Sequence, residues 1–129
     1  DHFLRQPPSC SVLVGDLNIA PLAADVWSTR QLRNTVSHTA IEREKLLALI
    51  EQGGWSDSVR VHFGSEEILF SWWSYRAKDW AASNRGRRLD HIWVSTDIAH
   101  QVKAVTIDGT ARAAEKPSDH VPVTMTLQP

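Results

Sequence analysis

Three short polar clusters hold most of the residues in this sequence equipped for chemistry: Gly15-Asp16-Leu17-Asn18, Arg88-Leu89-Asp90-His91 and Ser118-Asp119-His120. Taken singly, each has an ordinary explanation. Asp and Asn after a strand commonly form a turn, Asp90 can pair with Arg87 or Arg88, and His120 can be a hydrogen-bonded, half-buried histidine. Taken together, three carboxylates, one carboxamide and one imidazole are the parts of a metal-assisted phosphoester site. Carboxylate oxygens suit a hard Mg²⁺ ion, which keeps several waters and leaves room for a substrate phosphate. An Asp beside a His orients the ring and stabilises its charged form. Asn adds an uncharged donor that holds a phosphate oxygen or the attacking water without repelling either. The sequence has no His-Glu-x-x-His, no Cys-x-x-Cys and no Gly-rich loop ending in Lys-Ser/Thr. His2, His38, His62 and His100 lack ligand-like spacing and are read as surface or core histidines.

A second constellation runs from Phe70-Ser71-Trp72-Trp73-Ser74-Tyr75-Arg76 through Lys78, Trp80, Asn84, Arg85, Gly86, Arg87 and Arg88. Between Arg76 and Arg88 there are five cationic residues against one acid, Asp79, although the whole chain carries a net charge of only −1. Aromatic faces offer stacking platforms for bases or sugars, and cations contact phosphates. A solvated basic loop explains the same text, and the near-neutral net charge argues against strong nonspecific nucleic-acid binding.

These residues need elements to hold them. Ser11–Gly15 is a β-branched apolar run after Pro7-Pro8 and reads as a strand buried on both faces, which places Asp16 to Asn18 at its C-terminal end. Thr39-Ala40-Ile41-Glu42 has capping-box spacing. Leu46, Leu47, Leu49 and Ile50 form a wide apolar face, and Gly53-Gly54 is a stop, so this stretch is predicted to be a helix. Strands are predicted at 68–73, 89–95 and 102–107. Val121 to Leu127 alternates as a strand with one buried face, with Pro122 at an edge or in its first residues. A strand, a helix and then several strands argue for an α/β or α+β layered domain spanning residues 1–129.

With 129 residues, 42% apolar and 22% charged, the chain suits one globular domain and excludes a collagen-like rod, a coiled coil or a disordered chain. No apolar run approaches the ~18 residues of a spanning helix, so no membrane is expected as a partner. The single Cys10 allows no internal disulfide, and no signal peptide is visible, so a reducing, cytoplasmic location is expected. The chain starts at Asp1 and its only methionine is Met125, so further sequence is expected to precede it. Six tryptophans against one tyrosine are more indole than so small a core hides, and some is expected to face a ligand.

Four stretches in order, Val14 to Pro21, Phe70 to Arg76, Asn84 to Asp90 and Glu115 to Val123, resemble the C-terminal half of the exonuclease III family of abasic-site DNA repair nucleases. That family lies within the endonuclease/exonuclease/phosphatase superfamily. The resemblance implies roughly half of the four-layer α/β-sandwich of the DNase I-like fold, mostly antiparallel sheet with a flanking helix. It implies Asp16 activating or positioning the attacking water and Asn18 holding the scissile phosphate. Asp119 would contact the metal, together with Asp16 and Asn18. His120 would bind the phosphate, oriented by Asp90. Trp72 would lie against the deoxyribose or flipped nucleotide, and Arg76, Asn84, Arg85 and Arg87 would touch the DNA. The implied cofactor is Mg²⁺, with Mn²⁺ as the alternative, and the implied partner is double-stranded DNA bearing abasic sites or 3′ ends.

The family's other half carries a metal-binding Glu, a further phosphate-contacting Asn and a catalytic Tyr, and none of these is in this chain. Tyr75 belongs to the aromatic motif. The chain alone is therefore expected to be a weak or inactive nuclease. Half of a two-sheet fold is expected to supply about one sheet and its helix, leaving Val12, Val14, Trp93 and Val123 on a bare face that self-associates or meets the missing half. Other activities in view are a phosphatase or phosphodiesterase of the same superfamily and a non-catalytic DNA-binding or assembly module.

Overall fold

The computed structural model describes residues 2–129. A short helix, α1 (His2–Arg5), precedes β1 (Val12–Asp16), which forms where the first β-branched run predicts it, one residue late. The run is not buried on both faces: Val12 is 45% and Val14 68% exposed. Among the described residues β1 pairs only with β3 (Asp90–Ser95), which leaves one edge open, and nothing covers its Val12–Val14 face. That pairing is antiparallel and sets Leu13 opposite Trp93 and Asp16 opposite Asp90.

The short α2 (Thr29–Leu32) starts at Ser28, whose hydroxyl accepts from the Gln31 amide, and the long helix α3 (Ala40–Gln52) starts at Thr39. At α3 the capping box is modified. Thr39 Oγ1 accepts from the Glu42 amide, but Glu42 returns one carboxylate oxygen to the Thr39 hydroxyl and the other to the amide of Ser37. The apolar face is narrower than expected: Leu46 is buried, Leu49 and Ile50 are half-buried, and Ile41 and Leu47 face solvent. Two further elements have no long periodic signal in the sequence. These are β2 (Trp55–Asp57), which pairs with β3, and α4 (Ser58–Phe63), capped by Asp57. Trp93 is fully buried, on the opposite face from Val12 and Val14, packing with Leu46 and Trp55. The expectation of a bare Trp93 is thus corrected by strand alternation, and Val123 is half-buried.

No strand forms over 68–73. Trp72 instead makes isolated bridges, to Arg87 on one side and to His120 on the other. The segment bonds loops at Ala24, Arg87, Asp119 and Val121, but only Trp72 forms β-bridges, so no ladder propagates. A short helix, α5 (Trp80–Ser83), follows, capped by Asp79, the one acid of the basic stretch. Beyond β3, a 3₁₀ segment at Thr96–Gln101 turns the chain away from the first sheet. It leads into β4 (Val102–Ile107), which pairs antiparallel with β5 (Val123–Leu127). The bounds of β4 agree with the prediction, and Pro122 stands immediately before β5. The result is α+β, with a three-stranded sheet in the order β1-β3-β2 and a two-stranded sheet β4-β5, rather than one sheet. α4 lies against both β3 and β4, joining the two.

Beneath the site lies a buried charge network. Asp25 and Arg88 are fully buried, and Asp25 bonds Arg60 and, at 2.5 Å, Arg88 Nε. Arg88 also reaches Asp57 at 2.8 Å. Asp57 and Asp25 therefore take the arginine that sequence reading offers to Asp90.

A carboxylate–imidazole site beside an aromatic, cationic cleft

Asp16 ends β1, Asp90 begins β3, and the two sit in register across the sheet. After Asp16 the chain turns sharply. Asn18 has φ = +55°, and its amide donates to Asp16 Oδ1 at 2.9 Å. Asn tolerates this left-handed conformation better than most residues, and the Asx turn uses Oδ1 alone, leaving Asp16 Oδ2 toward His120. His91, one residue after Asp90, is buried and contacts the carbonyl of Ile19 through Nε2 at 2.8 Å, which ties down the loop carrying Asn18. Burial, and next the Arg88 charge, hold His91 below the usual imidazole range, so it is neutral and serves as scaffold.

His120 arrives from the opposite side. Its amide donates to Ser118 Oγ at 3.1 Å, and Tyr75 Oη fastens the same loop through the Pro117 carbonyl at 2.8 Å. Its Nδ1 lies 2.8 Å from Asp90 Oδ2, and its Nε2 lies 3.7 Å from Asp16 Oδ2. Burial alone would lower the His120 pKa. The hydrogen bond to Asp90 and the charges of Asp90, Asp16 and Asp119 outweigh it, so the ring stays protonated to a higher pH than a free imidazole. One donor atom from each of Asp16, Asp90 and His120 lies within 4.8 Å of the others, a spacing that fits a divalent ion. Asp119 joins from the flank: its Oδ2 accepts the Trp72 indole N–H at 3.0 Å, and its carbonyl accepts the Trp73 amide.

Trp72 is the wall between this cluster and an open cleft of about 620 Å³ lined by Trp27, Trp72, Trp80, Arg76, Arg85 and Arg87, among others. Among the described residues no acidic side chain lines that cleft. The Arg87 guanidinium sits 5.2 Å from the Trp72 ring, held by Ser37 Oγ at 3.1 Å, and Arg85 sits 4.5 Å from Trp27. Among the described residues Arg87 has no carboxylate partner, and desolvation lowers its pKa. The loop reaches this position because residue 86 is glycine: a Cβ there would lie 2.5 Å from the Phe70 ring. Asn84 caps α5 in a left-handed conformation and uses its Oδ1 to accept from Trp73 Nε1 at 3.0 Å, so it braces the cleft wall without lining the cleft itself.

The structure therefore brings Asp16, Asp90, Asp119 and His120 together, with Asn18 at the adjoining turn, and gathers Trp72, Arg76, Arg85 and Arg87 in the cleft next to them. Sequence reasoning placed Trp80 in the aromatic stretch but gave no role to Trp27 or to the Ser71 hydroxyl. Trp27 carries no local signal beyond the surplus of indole. Ser71 is fully buried, and its hydroxyl bonds Asp90 Oδ2 at 2.7 Å.

A family model described as "Endonuclease/Exonuclease/phosphatase family" matches residues 2–120. The chain is 35% identical over 117 residues to the exodeoxyribonuclease III of Haemophilus influenzae, covering 87% of this chain and 43% of that protein. Among solved structures it resembles an AP endonuclease from Archaeoglobus fulgidus, with a TM-score of 0.88 and 30% identity, over 98% of this chain and 49% of the other. It also resembles a 3′ phosphatase from Neisseria bound to product DNA hairpin, with a TM-score of 0.82 and 36% identity, over 91% and 44%. The chain thus spans less than half the length of each of these relatives. Among the described residues no helix is long and apolar enough to cross a membrane.

Proposed function

The chain belongs to the endonuclease/exonuclease/phosphatase family, and from that premise we propose that it is the phosphate-handling part of a divalent-metal-dependent DNA repair nuclease. The substrate of the whole protein is duplex DNA with abasic sites or 3′ ends. The observation that carries this reading is the cluster in which Asp90 holds His120 while Asp16 faces the same imidazole from the other side.

In this reading Asp16 takes the proton from, or positions, the attacking water. The Asn18 carboxamide holds a non-bridging phosphate oxygen at the turn. His120, kept cationic by its carboxylate neighbours, donates Nε2–H to the phosphate as charge builds on it. Phosphorus gains the water oxygen and loses the sugar oxygen, which takes its proton from solvent water as Asp16 returns the one it accepted to solvent. The donor set suits Mg²⁺, or Mn²⁺ in its place, because carboxylate oxygens of Asp16 and Asp90 lie within 4.8 Å of each other and of a His120 ring nitrogen, with Asp119 on the flank. When bound, such an ion neutralises phosphate charge. Trp72, Arg76, Asn84, Arg85 and Arg87 hold the DNA alongside, where aromatic faces and uncompensated cations match bases, sugars and phosphates.

Because the relatives are more than twice as long, the reading includes a further segment that completes the metal site, and weak cleavage by this chain alone. The test is Mg²⁺-dependent incision of a duplex carrying one abasic site, with Asp16→Asn as control and 3′-phosphorylated DNA as a second substrate. Salt-sensitive binding with slow, Asp16-dependent cutting is expected. Absence of both binding and cutting overturns the nuclease reading, and fast cutting overturns the part about a completing segment. Binding without any cutting, with or without Mg²⁺, favours a DNA-binding module. Release of phosphate alone favours a phosphatase.

A further inference from the structure

We infer that Ser71 is a positioning residue for the Asp90–His120 pair, fixing which way the Asp90 carboxylate faces. The catalytic meaning of the pair rests on the proposed function, but the positioning itself does not.

A serine hydroxyl has one hydrogen to give and two lone pairs to receive with. Ser71 Oγ lies 3.0 Å from the Leu89 amide nitrogen and 3.1 Å from that of Asp90, and both N–H groups donate to it. With both lone pairs engaged, the hydrogen has one direction left, toward Asp90 Oδ2 at 2.7 Å. That same oxygen is the one 2.8 Å from His120 Nδ1. The serine cannot drift from this post, because it is fully buried and its main chain is clamped on both sides. Its amide donates to the Arg87 carbonyl and its carbonyl accepts from the Val121 amide, each at 2.9 Å.

The terminal torsion of an Asp is broad, so an unheld carboxylate samples many orientations. Here one oxygen takes the Ser71 proton and the His120 ring together, which holds the carboxylate plane against the imidazole. Ser71 thus connects the strand end that carries Asp90 to the loop that carries His120. The competing account is that Ser71 merely satisfies two buried amides. The two accounts differ at the imidazole. In a neutral His120, an Asp90 held in place demands the hydrogen on Nδ1, since the partner of one ring nitrogen sets the tautomer.

The experiment is ¹⁵N-edited imidazole spectroscopy of this chain, metal-free, above the pH at which His120 loses its charge. The unmodified chain is expected to carry the Nδ1–H tautomer. Ser71→Ala is expected to shift the population toward Nε2–H, and Ser71→Thr, which keeps the hydroxyl, to retain Nδ1–H. An unchanged tautomer in a folded Ser71→Ala chain overturns the inference. Should that variant not fold, the unmodified chain decides. A slowly exchanging Ser71 hydroxyl proton with Overhauser contacts to the Leu89 and Asp90 amides supports the inference, and one exchanging like an exposed serine overturns it. The tautomer is read without DNA, so it fails separately from the nuclease reading. A tautomer shift in a chain that neither binds nor cuts DNA leaves the positioning intact and removes its catalytic meaning.

Discussion

Replacing Asp25 by Asn removes the charge at the centre of the buried network while leaving its shape nearly unchanged. In the native protein Asp25 Oδ1 accepts from Arg60 and from Arg88 Nε, and Oδ2 accepts from Arg88 Nη2 at 3.2 Å and from the Leu22 amide at 2.9 Å. Two arginines face two carboxylates, Asp25 and Asp57, so the cluster is neutral. Asn leaves two buried guanidinium groups on one carboxylate and turns a carboxamide N–H toward a guanidinium or wastes its oxygen. Breaking a buried pair from one side costs ~3–5 kcal/mol. A chain of this length is stable by ~6–19 kcal/mol in total, so the loss is about a sixth or more of the whole. With a urea slope of ~2 kcal/mol/M, the midpoint falls by ~1.5–2.5 M. Urea titration followed by tryptophan emission measures this. Adding Arg60→Met restores neutrality and is expected to recover part of the loss. The acid side provides a sign check. Burial pushes Asp25 up, but the charges and hydrogen bonds of Arg88 and Arg60 hold it below the usual carboxylate range. Its contribution is present above the unfolded value of ~3.9 and is lost as pH falls through the lower folded value. The native chain therefore loses more stability on acidification below about pH 4 than Asp25→Asn does. A urea midpoint shift worth less than ~1 kcal/mol would refute the account of the network as a coupled buried cluster.

Gly86→Ala places a methyl group against the Phe70 ring and is expected to destabilise the chain by ~1–3 kcal/mol, read by the same urea titration. A neutral outcome means that the loop shifts freely. Arg85→Gln and Arg87→Gln are each expected to flatten the slope of log affinity against log salt for an abasic duplex by ~0.9 per phosphate contact removed, measured by fluorescence anisotropy. An unchanged slope counts against a phosphate role for that arginine.

The elements that were legible in the sequence are those whose signals are local. Thr39 and Glu42 announce α3, and the alternation through Thr124 and Thr126 announces β5. The strands β1, β3 and β4 follow from runs of β-branched residues. The stretch from Ile68 to Trp73 forms no strand because composition reports β propensity, whereas sheet membership depends on partners, here loops that bridge it at Trp72 alone. β2 and α4 are too short for periodicity, and Asp57 serves as both strand end and helix cap. The polar clusters at strand ends were visible because chemistry-bearing residue types concentrate there. Ser71 was not, since a serine among aromatics carries no mark of the hydroxyl geometry it enters. Nor was the Asp25–Arg88 pair, whose members are 63 residues apart.

The double bridge at Trp72 also bears on how the protein folds. The site is closed by contacts between distant parts of the chain: Trp72 to Asp119 across 47 residues and Asp90 to His120 across 30. Each is a single bridge rather than a rung in a growing ladder, so each loop is closed for the return of one or two bonds. Such contacts are expected to open more readily than the local bonds of α3 or the β1–β3 ladder, which closes a longer loop but returns five paired residues for it. The His120 side of the reactive cluster is therefore expected to be held less firmly than the Asp16–Asp90 rung it faces, and an intact cluster reports that these distant parts of the chain have met.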